Sequence, residues 1–388
     1  FFLFLMLNVG AVLIQIINFS HPDLLAILIG LRSYILAVPF LWIGYHLFYY
    51  KDFSAVIVFS KIILYLSMIS IAYGIFSFIV DPAYAGGVIK NFITPMGHSA
   101  HSFNSSSQEL VSSFFASSSK FSVFLLISYL IIWGERRQQG KSIIIIFVVF
   151  LIGFFISGNR TGITLFILFN TLVMLTMTTY KEKFLVFLSI ALTVILTVMI
   201  GSFSKSEYKD TFERIDYMME DTSEYLVRLN QAIPLSHINF NNDILFGSGL
   251  GTYGQEALFR SETEPSEQAL FEYFFHKNQY HIKDSGITKV TIELGLFGLF
   301  FFLLFLGVLA TLSLIVIVKA IKFRNYLAFS IACIPGVWIL LMLKGHPIMS
   351  DIVISSSLYL SIGCILAFLR SKNALETFSD SVNFSGKK

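Results

Sequence analysis

Residues 294–318 read LGLFGLFFFLLFLGVLATLSLIVIV, an unbroken apolar run without one ionised side chain. At roughly 1.5 Å per helical residue, a run of that length crosses about 30 Å of hydrocarbon with residues to spare. Similar windows recur at 1–19, 33–50, 54–80, 114–133, 142–157, 163–180, 184–201, 325–344 and 352–369. The spacing predicts an all-α polytopic membrane protein with about ten transmembrane helices, and at most about twelve. The upper figure allows for the short windows at 142–157 and 163–180 and for the half-apolar stretch 22–32, which suits a re-entrant or interfacial turn.

Composition agrees with this reading. Of 388 residues 55% are hydrophobic and only 13% charged, with 42 Phe, and the mean hydropathy is +0.75. A soluble domain carries about 25% charged residues. A water-soluble enzyme, a disordered chain, a collagen and a disulfide scaffold are all excluded. The two cysteines, Cys333 and Cys364, lie inside apolar runs and read as small core residues. Phe1 opens directly into an apolar run with no charged segment before it, so no cleavable signal peptide is legible. Without an initiator Met, upstream residues are expected.

The net charge of +3 conceals an asymmetry. Residues 202–289 carry 8 Lys+Arg against 14 Asp+Glu, a balance of −6 that leaves +9 for the rest of the chain. Basic residues in short connections mark the cytoplasmic side. Arg136, Arg137 and Lys141 form one such cluster, Lys181 and Lys183 a second, and Lys319, Lys322 and Arg324 a third; Arg370, Lys372, Lys387 and Lys388 close the chain. Ten spans put all four on one side. The opposite side, periplasm or cell exterior, then receives 81–113, 158–162, 202–293 and 345–351. Four regions follow: spans one to seven over 1–201 with a medium external loop at 81–113, a large external loop at 202–293, spans eight to ten over 294–370, and a polar cytoplasmic tail at 371–388, expected to be disordered.

Cytoplasmic connections this short cannot house a nucleotide-binding or soluble catalytic unit, so chemistry is expected outside. Seven of the eight His residues fall there or at its membrane edge, and only His46 approaches the cytoplasm. The loop 81–113 reads as a polar connector or as a lid carrying His98 and His101. In the large loop, residues 206–233 show an apolar stripe at helical spacing between acidic residues, which predicts amphipathic helices on the membrane surface. Gly249, Gly251 and Gly254 spell GxGxxG. That fingerprint needs a βαβ setting, which an external loop does not provide, so the stretch reads as a tight Gly-rich turn. The aromatic patch at 270–281 suits anchoring at the lipid interface or stacking on sugars.

Several residues suit anion and proton chemistry. Arg160 lies in SGNRTG at 157–162, a short hairpin at the external membrane edge, where a charge needs either a partner or an anionic ligand. Gly158 and Gly162 would let the chain reverse and free backbone N–H groups for the same anion. Arg32 stands close to the external edge of its span and Arg228 on the expected loop helix. Guanidinium groups grip phosphate through paired hydrogen bonds, so several converging above the bilayer would suit a lipid-linked pyrophosphate. His276, His281, Asp284 and Glu293 are the acid/base candidates. The external loops contain no HExxH, CxxC set or paired carboxylate motif, so no metal site is expected, and no GxSxG elbow is present.

Three pieces in this order, SGNRTG at 157–162, RLNQAIPLSHINFNNDILFGSGLGTYG at 228–254 and DSGITKVTIELGLFG at 284–298, resemble the O-antigen polymerase and O-antigen ligase superfamily of bacterial membrane glycosyltransferases. The resemblance implies a GT-C-like helical fold in the inner (cytoplasmic) membrane with its active site facing the periplasm. It implies a glycan on undecaprenyl pyrophosphate as donor, a second lipid-linked repeat unit as acceptor, and no cofactor or metal. Arg160, Arg228 and Arg32 would hold the pyrophosphate, and Asp284, His281 or His276 would take the acceptor proton. Ligases of the superfamily usually carry His about eleven positions before the Gly that matches Gly295; Asp284 stands there in this chain, which looks more like the repeat-unit polymerases. Beside membrane lipid and the lipid-linked oligosaccharides, a polysaccharide chain-length regulator is an expected partner, and nucleic acid is not. A ligase delivering finished polymer to lipid A core, a polysaccharide-lipid flippase and a non-catalytic assembly partner are the other readings.

Overall fold

The computed structural model describes residues 37–49, 53–80, 118–157, 159–176, 243–247, 286–343 and 352–370, with single residues at 10, 35, 113 and 115. Every regular element among the described residues is a helix: α1 (Val38–Tyr49), α2 (Phe53–Val80), α3 (Ser118–Gln138), α4 (Ile144–Ser157), α5 (Arg160–Thr176), α6 (Asp243–Phe246), α7 (Gly286–Phe323), α8 (Tyr326–Leu343) and α9 (Ile352–Arg370). Each expected span between 33 and 180, and each from 294 onward, coincides with one of them. Those at 1–19 but for Gly10 and at 184–201 lie outside the described residues, as do the medium loop but for Ser113, and most of the large loop.

Two stretches, Val56–Phe76 in α2 and Glu293–Phe323 in α7, are long and apolar enough to cross a membrane; α4, α5, α8 and α9 contribute shorter apolar stretches. Their outward surfaces are apolar as well. Tyr65 and Ile69 on α2, Ile145 on α4, and Phe300, Leu314 and Val318 on α7 are all exposed. Water penalises such a surface and hydrocarbon does not.

The chain divides into two units. One contains α1, α6, α7 up to Val316, α8 from Ala332, and α9. Its best-packed pair is α1 against α9. A Cβ on Gly44 would overlap the Leu360 carbonyl, and one on Gly363 would overlap the Leu41 carbonyl, so the backbones touch with nothing between them, as small residues allow between helices in lipid. The contacts climb both helices together. Cys364 Sγ reaches the Gly44 carbonyl at 3.6 Å, Phe48 meets Phe368 at 5.1 Å between ring centres, and Arg370 donates to the Tyr45 hydroxyl at 3.0 Å while lying 5.7 Å over the Tyr49 ring. The two helices are therefore parallel.

The other unit packs α2, α3, α4 and α5 together with the end of α7 and the start of α8. Its centre is aromatic: Tyr129 and Phe154 lie 4.7 and 4.8 Å from Phe166. One polar chain crosses it, in which the Tyr129 hydroxyl donates to Asn170 Oδ1 at 2.7 Å and Asn170 donates to the Phe166 carbonyl at 2.8 Å. Inside an apolar bundle this satisfies both groups.

Two of the reversals described in this unit end a helix the same way. After α3, Gly140 takes φ 68°, its N–H bonds the Arg137 carbonyl, and the Lys141 N–H bonds the Arg136 carbonyl at 2.9 Å. After α7, Arg324 takes φ 52° and the Asn325 N–H bonds the Ala320 carbonyl at 2.9 Å. This is the Schellman closure, and the basic residues gathered in both turns suit the negative ends of the two helices. Asn325 then caps α8, its Oδ1 accepting from the Ala328 N–H at 2.9 Å, and Gln138 accepts from the Tyr326 N–H at 2.8 Å. Glu135 is buried one turn before Gln139, beyond the apolar part of α3. Its burial pushes its carboxyl above the ordinary range, against the pull of Lys141, Arg136, Lys61 and a hydrogen bond from Gln139.

Two outcomes are expected. Gly363→Leu should lower the thermal unfolding temperature of the purified protein, at a cost of about 1–3 kcal/mol from overpacking, whereas Gly336→Ala, where an added Cβ meets nothing within 4 Å, should not. Because the fold raises the Glu135 pKa, the native state binds the proton more tightly, and stability falls as pH rises from the unfolded to the folded value. Glu135→Gln should therefore raise the unfolding temperature at pH 8, and the gain should vanish toward pH 4.

Candidate functional site

α7 begins earlier than the apolar run that defines its span. Residues 286–293, assigned by sequence to the external loop, are helical and continuous with it except at Gly295, which breaks the helix with φ 67° and ψ −168°. The apolar stretch itself begins at Glu293, so the helix carries the polar end of the loop into the expected span. The spacing explains this, since Val290 and Leu294 are buried one turn apart.

The break at Gly295 faces a second glycine. α6 is a single turn followed by Gly247, φ 74°. An added Cβ on Gly247 would lie 2.5 Å from the Gly295 nitrogen and 2.6 Å from the Glu293 carbonyl. One on Gly295 would lie 2.5 Å from the Gly247 nitrogen and 2.6 Å from the Leu245 carbonyl. Two backbones meet here face to face. Both positions are closed to any other residue twice over, by the positive φ and by rigid backbone atoms that cannot move aside. Beside them Phe246 meets Phe297 at 6.2 Å between ring centres.

One helical turn before Gly295 lies an ion pair. Lys289 Nζ is 3.8 Å from Glu293 Oε1, and the two side chains are 3% and 0% exposed. Thr291 between them is buried too, its hydroxyl donating to the Ile287 carbonyl at 2.8 Å. Removing two charges from solvent carries a desolvation cost that their attraction offsets only in good geometry.

The hairpin between α4 and α5 is the second candidate locus. Asn159 caps α5: its Oδ1 accepts from the Gly162 N–H at 3.0 Å, its carbonyl accepts from the Ile163 N–H at 3.2 Å, and the Ser157 hydroxyl closes the other side by donating to the Phe154 carbonyl at 2.7 Å. Gly162 does not reverse the chain or leave its N–H to an anion. It lies inside α5 where a Cβ would stand 2.7 Å from the Ser122 side chain, so its smallness lets α5 approach α3. Arg160 is the first residue of α5.

The expected site residues are thus only partly visible. Glu293 is described, buried and paired, and Arg160 is placed by its backbone alone. Arg32, Arg228, His276, His281 and Asp284 lie outside the described residues, as do Gly158, Gly249, Gly251 and Gly254. Among the described residues no group of three or more His, Cys, Asp or Glu side chains gathers. Sequence reading passed over Lys289, although Lys and Glu four apart at the mouth of an apolar run is a legible signal. It also passed over Gly247, for which only the fold gives a signal. Comparison of the chain with family models, with curated proteins and with solved structures returns no match.

Gly247→Ala and Gly295→Ala should each destabilise the protein, by about 1–2 kcal/mol from the left-handed backbone alone and by more from overlap. The two displace the same contact, so in a double-mutant cycle the second should cost less than the first, with a coupling of about 1 kcal/mol or more. Additive costs would mean that the two glycines do not act as a pair.

Proposed function

We propose that the chain is a membrane glycosyltransferase of the O-antigen polymerase type, with about ten spans in a bacterial inner membrane and its large loop 202–293 in the periplasm. The observation that carries the reading is the contact of Gly247 with Gly295. It joins the stretches 228–254 and 284–298, the two longest pieces of the resemblance, which the sequence holds apart. Parallel α1 and α9 support the same topology: in a ten-span threading these are the second and tenth spans, both running toward the cytoplasm, and Arg370 on Tyr45 and Tyr49 then lies on the side that basic residues favour.

In this reading the donor is an oligosaccharide on undecaprenyl pyrophosphate and the acceptor a second lipid-linked repeat unit. The acceptor hydroxyl oxygen bonds to the donor's anomeric carbon as the bond from that carbon to the pyrophosphate oxygen breaks, and the carrier leaves with the electron pair. Arg160, Arg228 and Arg32 neutralise the departing diphosphate. The hydroxyl proton passes to Asp284, with His281 and His276 as the neighbouring acceptors. Positioning of two large lipid-anchored substrates supplies the rest of the rate.

Arg160→Ala and Arg228→Ala should each leave the protein in the membrane and reduce long-chain polysaccharide to core bearing a single repeat unit, read on a surface-polysaccharide ladder of the complemented null strain. Normal chain length in both variants would remove the arginines from the mechanism. Unsubstituted core with polymer accumulating on the lipid carrier in the null strain would point to a ligase instead.

A further inference from the structure

Three cations from separate elements surround one carboxylate at the basic end of the second unit. An added Cβ on Gly153 would lie 2.9 Å from Ile71 and 3.0 Å from Leu125, and one on Gly74 would lie 3.6 Å from Phe121 and 3.7 Å from Ile156. Helix α2 therefore runs parallel to α4 and antiparallel to α3. Ten residues from that level, toward the basic end, stand Lys61 on α2, Glu135 on α3 and Ile143 at the mouth of α4. Electrostatics agrees with this register: Lys141, Arg136 and Lys61 all act on the Glu135 carboxylate, which is buried and accepts a hydrogen bond from Gln139. It is the one carboxylate among the described residues of this unit. A single carboxylate balances one cation of the three, and Lys61 and Lys141 are both exposed.

Lys61 lies within the apolar stretch Val56–Phe76, where an ionised side chain facing lipid calls for an anionic partner. Tyr65 and Met68, four and seven residues on, continue its flank of α2 and are exposed. Met68 is one turn from Ile71, so that flank adjoins α4, on which Ile145 and Ile152, seven apart, are exposed as well. Cations thus head an apolar strip between two parallel helices, which is the order of groups in a phospholipid. Resting on the membrane reading of these helices and not on glycosyl transfer, we propose that this strip seats an anionic phospholipid of the leaflet at that end, with its phosphodiester on Lys61, Lys141 and Arg136 and an acyl chain along the strip. The phosphodiester balances charge that Glu135 leaves over; a zwitterionic lipid brings its own cation and does not. Basic pockets between spanning helices take anionic headgroups by the same complementarity. Basic residues that only orient the spans need no common point and no apolar strip beneath it.

The test uses the full chain purified in detergent, with thermal unfolding followed as phosphatidylglycerol or phosphatidylcholine is added. A ligand of the native state stabilises it in proportion to the logarithm of its concentration over its Kd, so the shift reports the affinity for each lipid. The parent is expected to bind phosphatidylglycerol at least about tenfold more tightly than phosphatidylcholine, and Lys61→Gln and Lys141→Gln should each lower that preference about fivefold. Lys322→Gln removes an exposed cation at the same end of the unit but on α7, and should leave the preference unchanged. An equal loss in Lys322→Gln would mean diffuse surface charge without a site and overturn the proposal, as would parent-like preference in both other variants. Equal affinity of the parent for the two lipids overturns it too, a result that needs no variant to fold. Inorganic phosphate protecting as strongly as phosphatidylglycerol would assign the cations to a soluble anion and remove the lipid. A chain recovered from cells in the soluble fraction sinks the membrane reading itself, an outcome distinct from a membrane-borne chain that does not tell the lipids apart.

Discussion

Backbone meeting backbone is the constraint on which the described structure turns. In an apolar bundle the hydrophobic effect does not choose one helix packing over another when lipid is the alternative, so specificity has to come from close approach and from polar groups that must be satisfied. Gly44 and Gly363 bring α1 and α9 together along a parallel seam, and Gly247 and Gly295 bring a single-turn helix against a broken one. The two cases differ. At the first, the lack of room for a Cβ alone requires glycine; at the second, positive φ on both sides requires it as well, and the contact acts as a register mark rather than as a general adhesive.

Polar groups complete the specification. The Tyr129–Asn170 pair and the caps at Asn159 and Asn325 use up donors and acceptors in the packed interior and at helix starts, where an unmade hydrogen bond costs a desolvation penalty. The two charged sites solve the problem in different ways. Glu135, at the basic end of its bundle, is pulled toward ionisation by three cations and away from it by burial, and burial prevails. Lys289 and Glu293 meet each other in nearly complete burial.

Much of the helical framework was legible in the sequence because an apolar run with no charge has few alternatives. The windows 54–80, 142–157 and 325–344 lie within a residue or two of α2, α4 and α8. Errors fall where polarity and structure part company. Residues 286–293 hold Lys289, Thr291 and Glu293 and read as the end of the large loop; that the segment is helical and those side chains lie inside the fold was not legible. Gly162 looked like a turn residue because of its neighbours SGNR, whereas its role is set by Ser122 on another helix. Of the candidate site, Glu293 was legible from its place at the mouth of a span. Gly247 was not, since its significance depends on a residue 48 positions away, and a single sequence has no signal for that distance.

Gly295 therefore joins two kinds of information. Its place in ELGLFG marks it as a break near the end of a span, and its backbone conformation marks it as the point where the outer end of α7 changes direction. A helix that continued straight through this point would carry residues 286–293 along the axis of the apolar segment. With the break, the polar segment is free to lie at another angle, and the Gly247 contact restricts which angles are available. Flexibility at a glycine is usually a loss of order; here the rigid backbone of residues 245–247 stands against Gly295 and the Glu293 carbonyl, so the same glycine that removes helical continuity is held in place.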